Sequence, residues 1–335
     1  MKLFFGAAIS RSMFLALLFF LAGVVYANPE TMMIDGLPGP EDIAVDSFGD
    51  TPRLFVSSTD RREGIKAGEI FEVPAETGAA RPLPRAGEPD GLIFNPHGID
   101  IMQDDRGDIF LYAIIHWRED GGDKHAVVRY QVSSDLLIFD QIYTDPLLVS
   151  PNDLSVLSDG TMYVSNDASG RGGMFETVLG LKRSTVVFFD GSKWSVAADG
   201  IAMANGIAAF PDVVYLSATR ENRVYVFKRE QSGGLTDKQV LARIKGPDNI
   251  SVFGNSLIVA GHRKSLALAR HLGASKHPPS SPTTIYQIDT GTNEMGILFT
   301  DNGDLISAGS VGVISGGCLC IGQIMDPFVL CVPVE

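Results

Sequence analysis

Five oxygen-bearing residues stand at the heads of a recurring pattern in this sequence: Glu41, Asn152, Asn205 and, together in one copy, Asp248 and Asn249. Each opens a short apolar run, and together they offer two carboxylates and three amide carbonyls with no thiolate among them. That donor set suits a hard cation. Ca²⁺ takes roughly six to eight oxygen ligands and is neutralised by two carboxylates, whereas Mg²⁺ demands tighter octahedral geometry and Zn²⁺ prefers nitrogen or sulfur. A single Asn or Asp at a turn often only fixes the local backbone, so it is the recurrence at one phase that points to a metal. His97 holds the same phase in its own copy of the pattern. His116 ends the next apolar run, Ile109 to Ile115, where a returning strand brings it near His97. A histidine pair beside a cation is suited to taking a proton from water, because imidazole titrates near neutrality and a neighbour holds its tautomer. His262, after the run Leu257 to Ala260, is a further candidate for the same place, while His125, His271 and His277 read as surface or loop residues.

The elements that must position these side chains follow from the repeat. Its copies are Glu41-Asp42-Ile43, His97-Gly98-Ile99, Asn152-Asp153-Leu154, Asn205-Gly206-Ile207 and Asp248-Asn249-Ile250, with a degenerate sixth at Ser310-Val311-Gly312-Val313. Their leading positions are 41, 97, 152, 205, 248 and 310, in steps of 56, 55, 53, 43 and 62 residues, the range of propeller blades with loop insertions. A second apolar run follows each copy after a turn, the rhythm of the two inner strands of a four-stranded blade. The chain is therefore expected to be all-β, a six-bladed β-propeller whose leading polar residues meet at the mouth of a central channel. Asp42 and Asp153 stand next to two of the heads. Neighbouring strand residues point to opposite sides, so this second pair is expected deeper in the channel or between blades. It would hold a second, structural cation, or else be satisfied by backbone amides. The segments Phe175 to Leu181 and Ser265 to Leu272 read as short helices inserted at the mouth. Thr31 to Ile34 is a candidate outer strand for the last blade, beside Phe328 to Val332, joining the two ends of the chain.

At 335 residues with a net charge of −13, the chain fits one closed all-β domain over residues 28–335 and excludes a nucleic-acid partner, which selects basic surfaces. Residues 1–27 read as a targeting segment: Lys2 and Arg11 precede the apolar run Met13 to Val25, and Val25-Tyr26-Ala27 offers a cleavage site. The expected location is secreted or periplasmic. An uncleaved anchor is the alternative, and contact with a membrane would come only through it. The three cysteines lie late, at 318, 320 and 331. Cys318 and Cys320 share a strand face and are poorly placed to bond each other; either reaches Cys331 on a neighbouring strand, or all three are small buried apolar side chains.

The motifs Glu41-Asp42, Phe94-Asn95-Pro96-His97-Gly98-Ile99, Asn152-Asp153, Leu179-Gly180-Leu181, Ala204-Asn205-Gly206-Ile207 and Asp248-Asn249-Ile250-Ser251-Val252 resemble those of the paraoxonases. These are six-bladed, calcium-dependent lactonases and aryl esterases, related more distantly to gluconolactonases. The resemblance runs from about Gly36 to Cys331. It implies a catalytic calcium on Glu41, Asn152, Asn205, Asp248 and Asn249, and a structural calcium on Asp42, Asp153 and the backbone carbonyl of Ile99. It also implies a catalytic dyad of His97 and His116, and inserted helices that roof the site. One departure stands out: the animal enzymes close the ring with a disulfide whose later cysteine matches Cys331, but this chain has no cysteine before Cys318. The expected activity is metal-assisted hydrolysis of a lactone or ester, with an apolar acyl chain favoured by Leu266, Leu268 and Leu272 in the second inserted helix. A sugar-lactone hydrolase and a non-catalytic exported binding propeller are the alternatives.

Overall fold

Six antiparallel sheets set in a ring realise the repeat, in a computed structural model that describes residues 31–62, 67–74, 78–171, 174–274 and 278–334. Blade 1 consists of Pro40–Asp46, Arg53–Ser58, Glu69–Pro74 and Arg81–Pro82. Blade 2 runs through Pro96–Gln103, Ile109–Glu119, Gly122–Val132 and Leu137–Tyr143, with the two-residue strand Arg85–Ala86 added in parallel at its outer edge. Blade 3 is Pro151–Val156, Met162–Asn166, Ser184–Phe189 and Trp194–Ile201. Blade 4 is Ala204–Ala209, Val213–Ala218, Arg223–Arg229 and Leu235–Ala242, and blade 5 is Pro247–Phe253, Ser256–Gly261, Thr283–Asp289 and Met295–Asp301. The first strand of every blade is innermost, and each touches the first strand of the next until blade 6 meets blade 1.

Blade 6 joins both ends of the chain. Gly309–Ser315, Cys318–Gln323 and Phe328–Pro333 are followed at the outer edge by the first strand of the protein, Met32–Asp35, with Met32 opposite Cys331 and Asp35 opposite Phe328. Ring closure thus rests on strand pairing, as expected. A disulfide joins Cys320 to Cys331, which face each other across the second and third strands of this blade, and Cys318 is free. It staples one blade internally and does not link the chain ends.

Apolar clusters fill the spaces between consecutive blades, which explains why the second strands read as continuous apolar runs. In Ile109–Glu119, Leu111, Ala113 and Ile115 pack toward blade 1, while Tyr112 and Ile114 pack toward blade 3. Period-two alternation sends side chains to two different cores, so neither face can be polar. Helix α1 (Met174–Leu179) and helix α2 (Ser265–Gly273) follow the second strands of blades 3 and 5. Second strands run back to the end where first strands begin, so both helices sit at the mouth, as expected. The targeting segment and His277 lie outside the described residues.

Candidate metal and catalytic site

The heads of the repeat occupy one structural position. Glu41, His97, Asn152, Asn205, Asp248 and Ser310 are each the second residue of their blade's innermost strand. Just past each head the innermost hairpin slips its register: between Pro40 and Asp42, Pro96 and Ile99, Pro151 and Asp153, Ala204 and Ile207, Pro247 and Ile250, and Gly309 and Val311. An inserted residue of this kind ends regular pairing and re-aims a side chain. Six such irregularities at one level set the six heads around the channel. The glycines of two copies have a packing cause. A Cβ at Gly98 would lie 2.5 Å from the carbonyl oxygen of Asn152, and one at Gly206 would press closer still on that of Asp248. In those copies the backbone of the next blade fills the place of a side chain.

Glu41, Asn152, Asn205, Asp248 and Asn249 are all buried. Three of their oxygens, Glu41 Oε2, Asn152 Oδ1 and Asn205 Oδ1, accept no hydrogen bond although they are shielded from solvent. A buried acceptor left unmet costs about 1–3 kcal/mol. Three at one level of the channel, beside a second carboxylate at Asp248, fit a cation that takes oxygen ligands. Their neighbours fix their orientation. Asn249 Nδ2 donates to the Glu41 backbone carbonyl at 3.4 Å and to Glu41 Oε1 at 3.5 Å, Ser310 Oγ donates to the same carbonyl at 2.6 Å, and Asp248 Oδ2 lies 2.7 Å from His262 Nε2. Burial pushes the Glu41 carboxyl up, but the charge of the neighbouring His97, with Arg61 and Asn249, outweighs it and holds the group below its usual value.

His97 Nε2 lies 3.3 Å from Glu41 Oε2, and its Nδ1 lies 3.0 Å from His116 Nε2. The two rings meet edge to face. The structure therefore brings the two sequence-predicted histidines together next to the donor set. Burial opposes protonation of His97, yet the charge of Glu41 raises its pKa; burial and then the charge of His97 push His116 well below the usual imidazole value. The pair is thereby split into a proton acceptor facing the channel and a neutral partner behind it.

Asp42 and Asp153 line a lower cavity of about 180 Å³ with Ile99 and Asp100, so the deeper position expected for them is the one they take. Both accept backbone amides: Asp42 from Ile43 (2.9 Å) and Ile99 (2.7 Å), Asp153 from Leu154 and Ile207 (2.8 Å each). Each long-range bond reaches the next blade and braces it. Amide bonding, one of the two expected alternatives, is present, but each oxygen keeps a second lone pair. It also does not settle the charge. Burial and then the charge of Glu41 push Asp42 up to about 8, and burial and then the charge of Asp42 raise Asp153 well above the carboxylate range. Ionised together, these groups call for a cation. Asp100 repeats the same brace, accepting Ile101 and Val156 amides at 2.8 and 2.7 Å, and burial pushes it up to about 6.

Several site residues escaped the sequence reading. Asp167 follows Asn166, the residue opposite Pro151, just as His116 and His262 follow the partners of Pro96 and Pro247. The place just after each second apolar run is the signal that marks all three, and the sequence pattern singles out only its histidines. Asp167 accepts a hydrogen bond from Ser150 Oγ at 2.5 Å and lies beside Asn152. Arg61, whose Nη1 donates to the Gly39 and Ile324 carbonyls, adds positive charge beside Glu41. Two histidines differ from expectation. His271, on α2, is buried against Arg62 and the Pro279 carbonyl, and His125 lies 2.7 Å from His116. Hairpin register, invisible in a loop-like stretch of charges, causes the second difference, since His116 and His125 are opposite each other.

Comparison with known proteins agrees with this architecture. Serum paraoxonase/arylesterase 1 of Rattus norvegicus is 28% identical over 246 residues, covering 71% of this chain and 68% of the relative. Serum paraoxonase/lactonase 3 of Homo sapiens is 24% identical over 307 residues, with coverages of 88% and 85%. The solved structure of a gluconolactonase from Xanthomonas campestris shares the fold, with a TM-score of 0.56 at 18% identity over 91% of this chain and 90% of that one. The family model for arylesterases matches residues 37–332, which span all six blades and every head of the repeat, and the chain belongs to the arylesterase family.

Proposed function

We propose that this protein is an exported, calcium-dependent hydrolase of lactones and esters. The observation that carries the reading is the set of three unmet buried oxygens, on Glu41, Asn152 and Asn205, within one ring that also contains the bonded pair His97–His116. Glu41, Asn152, Asn205, Asp248 and Asn249 would hold the catalytic calcium; Asp42, Asp153 and the Ile99 carbonyl would hold a structural one. A calcium ion in the upper set would supply the positive charge that polarises a carbonyl and offsets the developing oxyanion. His97 takes the proton of the attacking water at Nε2, while His116, bonded to Nδ1, holds the productive tautomer. The same nitrogen returns a proton to the leaving alkoxide. Apolar side chains exposed on the mouth helices, among them Phe175, Val178 and Leu266, offer a seat for an apolar acyl chain. Names of the relatives that carry "arylesterase" and "lactonase" support the reaction class. Export is supported by the leader-like residues 1–27 and by the Cys320–Cys331 disulfide, which suits an oxidising compartment.

Turnover of medium-chain alkyl lactones by the purified protein and by His97→Gln tests the reading. The wild type is expected to hydrolyse them and the variant to lose about a hundredfold in kcat. Wild-type rates in the variant would remove the histidine from the mechanism. Turnover confined to sugar lactones would instead assign a gluconolactonase-like activity, which does not need the histidine pair.

A further inference from the structure

The hydrogen-bonded chain that starts at Glu41 does not stop at the second histidine. His116 Nε2 meets His97 Nδ1 at 3.0 Å, and its other nitrogen, Nδ1, meets His125 Nδ1 at 2.7 Å, again with the rings edge to face. His125 in turn opens on a surface cleft of about 360 Å³ that it shares with Trp117, Asp123, Lys124 and Asp145. Three imidazoles therefore span the wall of blade 2 from the channel to solvent. We propose that His125 is the outer member of a proton relay that connects His97 to bulk water, acting on the reaction only through His116. The proposal rests on the hydrolase reading above and deepens it.

The far end of the chain fixes its polarity. The Val149 carbonyl also faces His125 and favours a hydrogen on its ring. With Nδ1 engaged by His116, Nε2 is the nitrogen left to that carbonyl, and because a carbonyl only accepts, it favours the tautomer in which Nε2 carries the hydrogen. His125 Nδ1 is then an acceptor, so His116 donates from Nδ1 and accepts at Nε2, and His97 donates from Nδ1. The free lone pair arrives at His97 Nε2, in the channel. One backbone carbonyl at the surface thus selects the tautomer of a base two residues inward. Groups facing His125 are Asp123 on its own strand, His116 on the neighbouring strand, Lys124 and Asp145 around the cleft, and the more distant His97.

The proton balance closes over one turnover. When water attacks, its proton goes to His97 Nε2, the His97 Nδ1 proton passes to His116 Nε2, the His116 Nδ1 proton passes to His125 Nδ1, and the His125 Nε2 proton leaves to solvent. When the alkoxide departs, it takes the proton on His97 Nε2, each inner hydrogen shifts back by one nitrogen, and His125 Nε2 recovers a proton from solvent. No oxidant or further reactant is involved, and the starting tautomers are restored.

Two measurements test this on the full chain. In the ¹⁵N-histidine-labelled wild type, nuclear magnetic resonance is expected to show nitrogen–nitrogen coupling across the His116–His125 hydrogen bond, with His116 in the Nδ1–H form and His125 in the Nε2–H form. Absence of the coupling, or His116 as Nε2–H, overturns the relay whether or not the protein hydrolyses anything, so its failure is separable from failure of the hydrolase reading. In dilute buffer, His125→Gln and His125→Phe are expected to lower kcat for an alkyl lactone roughly tenfold, less than loss of the base itself, with KM unchanged and the rate restored by added imidazole. An unchanged kcat, or a loss that imidazole does not restore in a folded variant, overturns it.

Discussion

At the scale of single residues, the site is a set of buried charges and lone pairs, and its properties depend on second partners as much as on the donors. His262 is buried and bonded to Asp248 at 2.7 Å, so it fixes which way that carboxylate faces. Loss of an outer partner of a metal ligand typically costs about 10–100-fold in affinity. His262→Gln is expected to weaken calcium binding within that range in a calorimetric titration; unchanged affinity would remove Asp248 from the ligand set. The donors were legible in the sequence because the repeat marked them: four oxygen-bearing residues and one histidine shared a phase, and Asn249 follows directly on Asp248. Asp167, Arg61 and His125 were not read. Asp167 is a single acid at the end of one strand, Arg61 reaches the site through a loop, and His125 acquires its meaning only from the hairpin register that puts it opposite His116.

At the scale of elements, the innermost strands do two things together. The irregularity after each head aims its side chain, and the close approach of neighbouring strands fixes the distance between heads from different blades. Gly206→Ala would drive a methyl group into the Asp248 carbonyl. Overpacking of this kind typically costs about 1–3 kcal/mol, and here the strand that must yield carries Asp248 and Asn249. The variant is expected to lose stability by that amount in chemical denaturation and to bind calcium more weakly, whereas a fully native midpoint would contradict the packing argument. Blades and helices were legible from apolar rhythm, and the order of strands followed from the step of the repeat. The register slips were not, because a single inserted residue changes neither composition nor period. The disulfide was not legible: the sequence allowed either early cysteine to reach Cys331, or all three to be small buried apolar side chains, and it is the pairing of Cys320 opposite Cys331 that overturns the last reading and decides the first.

At the scale of the whole molecule, the ring is closed by strand pairing outside and by carboxylate braces inside. Asp42, Asp100 and Asp153 each tie one blade to the next through a backbone amide. The same burial makes the metal-free ring sensitive to pH. Asp42 is pushed up to about 8, and Asp153 is raised as well, while an unfolded carboxyl titrates near pH 4. Between these values the folded chain holds protons that the unfolded chain has released, so metal-free stability is full at the acid end of the window and falls as pH rises from about 4 to about 8. Glu41 has the opposite shift, and its contribution is lost only on acidification below that window. A chelated sample is expected to melt at falling temperature as pH rises from 5 to 8, and excess calcium is expected to abolish the slope. A chelated sample whose melting temperature rises across that interval would contradict the ionic account of the lower channel.

The most direct measurement of the central claim is the hydrolysis of a medium-chain alkyl lactone by the purified protein before chelation, after it, and after calcium is returned. The account predicts turnover that disappears with the chelator and recovers with Ca²⁺ but not with Mg²⁺. Turnover that persists in a sample shown to be free of metal would contradict it.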